Sequence, residues 1–182
     1  MAALPVGRLV LQQLLRVYID IIVLRRGPQD LPASQFLMLS ALLLYLASGL
    51  ALFLTHVPTF SGALAELSVA VLLEAGFFLA MLALWGKMLR ARQTLSALWG
   101  SGALLTFAGL PLHIWMQVQP QEAAANALPG LGLLLLLVLS LVVAGNILRE
   151  ALEIPLPGGI LLVLAEFALS VFVSARLFGG SV

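Results

Sequence analysis

Five runs of this chain are long and apolar enough to cross a lipid bilayer: residues 35–54, 63–85, 95–117, 127–148 and 158–178. A span needs about 20 predominantly apolar residues at about 1.5 Å rise per residue. In hydrocarbon every backbone N–H and C=O must be satisfied within the chain, so each run is predicted to be a helix. Composition agrees: 9% of the residues are charged and the mean hydropathy is +1.13, where a soluble domain carries roughly 25% charge. Too little charge is present to cover a water-facing surface. The expected fold is an all-α bundle of five transmembrane helices over residues 35–182.

The connectors are "THVPTFSG", "GKMLRARQT", "VQPQEAAAN" and "REALEIPLP". All are short, so consecutive spans are expected to be antiparallel and adjacent. Arg8, Arg16, Arg25 and Arg26 precede the first span. Lys87, Arg90 and Arg92 separate the second and third, and Arg149 separates the fourth and fifth. Eight of the nine Lys and Arg therefore fall on one side, and Arg176 alone falls towards the other. The positive-inside rule places the N-terminus in the cytoplasm and the C-terminus outside.

Residues 6–24, "VGRLVLQQLLRVYIDIIVL", read differently. Arg8, Gln12, Gln13, Arg16 and Asp20 fall within a sector of about 140° at 100° per residue, although Leu9, Ile19 and Val23 intrude on it. A polar strip on an apolar helix fits a helix lying in the interface, its arginines towards anionic headgroups. A sixth span whose strip faces other helices stays open. Residues 1–34 thus form a unit of helix and turn. Gly27, Pro28 and Pro32 break the helix, and Ser34 is placed to cap the next one.

Two carboxylates stand in the middle of the oiliest segments. Glu74 is central in "SVAVLLEAGFFLAML", and Glu166 lies near the centre of the last span. An ionisable group at the midplane costs about 2.5–3.5 kcal/mol on insertion scales, so both should face the bundle interior at one depth. Ser170 follows Glu166 by one turn. One reading is a proton or cation relay, or a polar substrate contact. The other is that each carboxyl hydrogen-bonds a backbone carbonyl or serine and locks the bundle. Towards the outer leaflet, Glu66, His113 and Arg176 are expected at one level, as a clasp of three helices. Pro111 is expected to kink the third span, and Asn146 to hydrogen-bond a neighbouring helix.

Other chemistry finds no support. Cysteine is absent, and His56 and His113 lie far apart, so no metal site is expected. The net charge of +1 offers no field for nucleic acid. No Walker, dinucleotide, HExxH or GxSxG pattern is present, so neither a cofactor nor an enzymatic activity is expected. The N-terminus lacks the cleavage pattern of a removable signal peptide.

The layout resembles bacterial members of the Yip-type (Ypt-interacting-protein) domain family of five-span membrane proteins. The resemblance is carried by the amphipathic N-terminal helix with its basic, proline-containing turn, "GKMLRARQTLSALW", "FAGLPLHIW" and "NILREALEIPLPGGILLVLAE". The chain departs from the family pattern where "NILRE" stands in place of a glycine-containing turn. The resemblance implies a bacterial inner-membrane protein without catalytic residues, and for eukaryotic relatives it implies vesicle traffic and membrane curvature. The expected function is a non-enzymatic membrane protein that scaffolds a partner complex or shapes the membrane. Its docking face would be residues 1–34, 86–94 and 149–157, with Arg25, Arg26, Lys87, Arg90 and Arg92 as its basic surface. Besides the lipid bilayer, its partner would be another membrane or cytoplasmic protein, or a second copy of the chain. The alternative is a small transporter or channel for a proton, cation or lipid, working through Glu74 and Glu166.

Overall fold

A computed structural model of the protein describes residues 6–57, 59–118 and 123–179, with the side chains of 6–11 (Arg8 among them) and 123–126 outside the description. Regular structure among the described residues is helical throughout. The helices are α1 (Val6–Ile22), α2 (Gln35–Phe53), α3 (Phe60–Leu84), α4 (Ala91–Val118), α5 (Ala123–Leu152) and α6 (Leu156–Phe178), with single 3-10 turns at Pro28–Asp30 and Met88–Arg90. The five helices α2–α6 are long and apolar enough to cross a membrane, which makes this a multi-pass membrane protein. α4 begins four residues before its apolar run and α5 ends four residues beyond its own. The Arg, Gln and Glu at these ends are good helix formers and extend the helices past the apolar stretch.

Local chemistry sets the helix ends. Ser34 caps α2, its hydroxyl accepting from the Leu37 amide at 3.4 Å. Thr59 caps α3 in the same way through the Gly62 amide at 3.2 Å. Three helices stop at one end of the bundle by turning left-handed, at Leu24 (φ 60°), Gly86 (φ 67°) and Glu153 (φ 59°). At each, the next amide reaches back to a carbonyl of the last turn: Arg25 to Asp20 (2.8 Å), Lys87 to Leu82 (2.7 Å), Ile154 to Arg149 (3.2 Å). This is a Schellman-type closure. α4 runs as one helix through Pro111.

The end that carries these turns, together with α1, is called here the basic end; the opposite one is the far end. Sequence order does not set neighbour order. α4 packs mainly on α2 and α5, α5 on α6, and α6 on α3, while α3 also meets α2. The ring is therefore α2–α4–α5–α6–α3. The expected adjacency of α3 and α4 is corrected: the two share little contact despite their short link. The reason is visible in that link. Lys87 and Arg90 dock on the α5–α6 turn, which carries α3 over towards α6. Where α5 crosses α6, a Cβ on Gly159 would collide with the Gly145 backbone carbonyl, so both helices need glycine to approach this closely.

Packing is densest at the basic end. Tyr18 and Ile21 of α1, Leu31 of the following turn, and Leu98, Ile147 and Leu148 of α4 and α5 form one buried cluster. The Gln93 side chain donates to the Leu31 carbonyl at 2.7 Å and fastens that turn to α4. α1 has three faces. Leu14, Val17, Tyr18 and Ile21 pack on the bundle. Leu15, Ile19 and Val23 form an exposed apolar stripe, and Gln12, Gln13 and Arg16 are exposed and polar.

Candidate functional site

Inside the ring lies a cavity of about 290 Å³. Every helix of the ring contributes a polar side chain to its lining: Tyr45 from α2, Glu74 from α3, Ser101 from α4, Ser140 from α5, and Glu166 with Ser170 from α6. Each lies near the middle of its helix, so the groups share one depth. Glu74, Glu166 and Ser170, predicted from sequence as an intramembrane polar site, thus line one cavity. One helical turn towards the basic end stand Phe78, Leu98, Val143 and Val163, which also line it and belong to the buried cluster. They form an apolar floor beneath the polar groups.

Hydrogen-bond direction decides what the lining offers. Ser101 donates its hydroxyl proton to the Ala97 carbonyl of its own helix at 2.6 Å. Ser140 does the same with Leu137 at 2.7 Å. Their oxygens are left as acceptors towards the cavity. The Tyr45 hydroxyl lies beside the Glu74 carboxyl, placed to donate to it. Carboxylates only accept when ionised. Among the described residues no Lys, Arg, Asn, Gln or Trp lines the cavity. Among the described residues no third His, Asp or Glu joins the two glutamates in a metal-binding cluster. The arrangement suits a guest that donates hydrogen bonds or carries positive charge.

A second chamber of about 620 Å³ adjoins the cavity towards the far end. The two share Tyr45, Gly102, Leu105, Leu137 and Ser140 along their common boundary. Beyond it the walls are mostly apolar, with Leu52 of α2, Gly109 of α4 and Leu133, Leu134 and Leu136 of α5, and Thr106 and His113 of α4 are their polar members. Among the described residues none of α3 or α6 lines this chamber.

The expected clasp is not formed. Among the described residues no ion pair joins Glu66 and Arg176. The Arg176 guanidinium lies over the Phe172 ring, 5.3 Å from its centre. Arg176 follows Glu166 by ten residues, which turns it about 80° around α6, away from the cavity face. His113 faces the chamber between α2 and α5, and α3 with Glu66 barely meets α4. Equal depth held no information about facing. Asn146 bonds within its own helix, accepting from Arg149 at 3.3 Å, and not across to a neighbour.

The basic surface is likewise smaller than expected. Glu153 pairs with both Lys87 and Arg90 at 2.6 Å. Arg90 also donates to the Glu150 and Ala151 carbonyls at the end of α5. The Lys87 and Arg90 bonds hold the Glu153 carboxyl below the usual carboxylate range. Arg26 pairs with Asp20 at 3.3 Å. Arg25 and Arg92 remain exposed.

Sequence reasoning passed over Tyr45, Ser101 and Ser140. A usable signal existed: each is a hydroxyl at the centre of an apolar run, at the depth of Glu74. Tyrosine in a span reads as a packing residue, and a serine at that position reads as a helix contact, so only the ring brings them together. Comparison with protein families, with characterised proteins and with solved structures finds no match.

Proposed function

We propose that this protein binds a small cation, a proton being the simplest, between Glu74 and Glu166 and moves it across the membrane. The carrying observation is the convergence of one polar group from each of five helices on a single cavity, with the Ser101 and Ser140 protons turned to their own helices and two carboxyls that accept when ionised. An isolated midplane carboxylate is costly, and five aligned polar groups exceed what helix packing alone requires. The apolar floor closes the site at the basic end. The Lys and Arg bias puts that end in the cytoplasm of a bacterial inner membrane, so the closed side is the cytoplasmic one.

α1 lies in the interface under this reading. Tyr18 meets Gly100, five residues inside the apolar run that starts at 95, hence about 8 Å deep. Interfacial helices bury their apolar face about 5–10 Å. The scaffold reading implied by the Yip-type resemblance would rest on Arg25, Arg92 and Leu89, which is 97% exposed between Lys87 and Arg90.

The test is cation uptake into proteoliposomes under a clamped membrane potential. Wild-type protein should carry a flux that Glu74→Gln with Glu166→Gln removes, while both proteins stay monodisperse. Equal flux in the two would defeat the proposal. Absence of flux in the wild type, together with loss of a co-purifying protein in Arg25→Glu with Arg92→Glu, would instead favour docking.

A further inference from the structure

We infer that the substrate is an amphiphilic amine, with its cationic head between Glu74 and Glu166 and its apolar tail in the far-end chamber. The inference rests on the cation-binding reading above and adds the substrate class.

Three observations carry it. First, the two chambers adjoin along Tyr45, Gly102, Leu105, Leu137 and Ser140 but are chemically unlike. One is lined by two carboxylates and the hydroxyls of Tyr45, Ser101 and Ser140. The other is walled largely by leucine. Second, size argues against a bare ion as the sole guest. An ion needs only the polar end, whereas the far-end chamber alone is about 620 Å³, within the roughly 300–1,000 Å³ of small-molecule sites. Third, neither α3 nor α6 contributes to the wall of the far-end chamber. A guest dissolved in the apolar layer would enter on that side, between helices that do not wall the chamber, head first towards the carboxylates.

The lining also excludes other amphiphiles. An anionic head would meet two carboxylates with no Lys or Arg among the lining residues. A neutral alcohol head gains one hydrogen bond but no charge complementarity. An ammonium gains charge-assisted bonds, which are roughly twice as strong as neutral ones. The tail gains little by itself, since lipid is as apolar as leucine. Selectivity therefore sits in the head, and the tail serves for access and fit.

The test uses the full chain in phosphatidylcholine nanodiscs. The probe is a dodecylammonium (a primary amine, protonated at neutral pH) carrying a photoreactive diazirine at the end of its tail, compared with the corresponding alcohol. Peptide mapping after illumination should find the amine label on the walls of the far-end chamber, at Leu133, Leu134 and Leu136 and around Gly109. It should exceed the alcohol label there by roughly tenfold, the effect of one hydrogen bond to a charged group. Glu74→Gln with Glu166→Gln should remove that excess. Gly109→Leu, which narrows the chamber, should remove the label and keep the flux of a tail-less cation. Equal labelling by amine and alcohol, or amine label confined to lipid-facing Leu131, Leu135 and Val138, overturns the inference using wild-type protein alone. If glutamate-dependent flux persists in that case, the substrate class falls and the cation-transport reading stands. If amine labelling depends on the glutamates but no flux does, the transport reading falls and the binding site stands.

Discussion

The Tyr45 hydroxyl of α2 lies beside the Glu74 carboxyl of α3 in the cavity lining, placed to donate a hydrogen bond to it, and its ring lies against Gly102 of α4. One side chain thereby joins three helices and fixes one wall of the polar cavity. Tyr45→Phe keeps the ring against Gly102 and removes only the bond. Its expected effect is a cation flux about tenfold lower, equivalent to about 1.4 kcal/mol, close to the value of a hydrogen bond to a charged group. The thermal midpoint in detergent should barely change. A flux equal to wild type would show that Tyr45 does not position the carboxylate.

Glycine at the α5–α6 crossing is expected to be far less replaceable than glycine elsewhere. A Cβ on Gly159 would overlap the Gly145 backbone, which cannot rotate away. Gly159→Ala should destabilise the protein by about 1–3 kcal/mol, the range for overpacking. Gly76 has nothing within 4 Å of an added Cβ. Gly76→Ala should be neutral or mildly stabilising, because alanine favours helix. Thermal unfolding of the two variants in one detergent compares them directly.

Glu153 combines a left-handed backbone (φ 59°) with ion pairs to Lys87 and Arg90 at 2.6 Å. Its carboxyl is held below the ordinary range by those partners. A group depressed in the folded state contributes stability above its unfolded pKa, and that stability is lost as pH falls through the folded value. The thermal midpoint should therefore drop as pH falls below the ordinary glutamate range. Glu153→Gln should flatten this dependence. Glu153→Gly should flatten it too, yet end up more stable than Gln, because glycine accepts positive φ without strain. A wild-type profile as flat as that of the Gln variant would rule out the clamp.

The Tyr18 hydroxyl is buried with no hydrogen-bond partner. An unmatched buried polar group costs about 1–3 kcal/mol. Tyr18→Phe removes it and leaves the ring against Gly100, so its thermal midpoint should rise. A lower midpoint would mean that the hydroxyl is satisfied in the membrane.

Topology has a separate check. Reporter fusions after Gln93 should read cytoplasmic and C-terminal fusions should read outside. A cytoplasmic C-terminus would reverse the orientation proposed for the cavity and its floor.

How much of this could be read from the chain alone depends on the kind of property. Span number, span bounds to within a few residues, the Ser34 cap and the common depth of Glu74 and Glu166 followed from sequence. Each depends on one helix only: rise per residue is constant, and hydrocarbon demands a set length of apolar helix. Which way a residue faces, and what it meets there, came only with the tertiary structure. Neighbour order is settled by close contacts such as Gly145 with Gly159 and Tyr45 with Gly102, and by Lys87 and Arg90 swinging α3 towards α6. Those contacts gather Tyr45, Ser101 and Ser140 around the two glutamates. They turn Arg176 away from Glu66, while ion pairs engage three of the five residues that read as a free basic surface. Depth belongs to a single helix, whereas facing belongs to the packed bundle. Arg176 and Glu66 share the first and not the second.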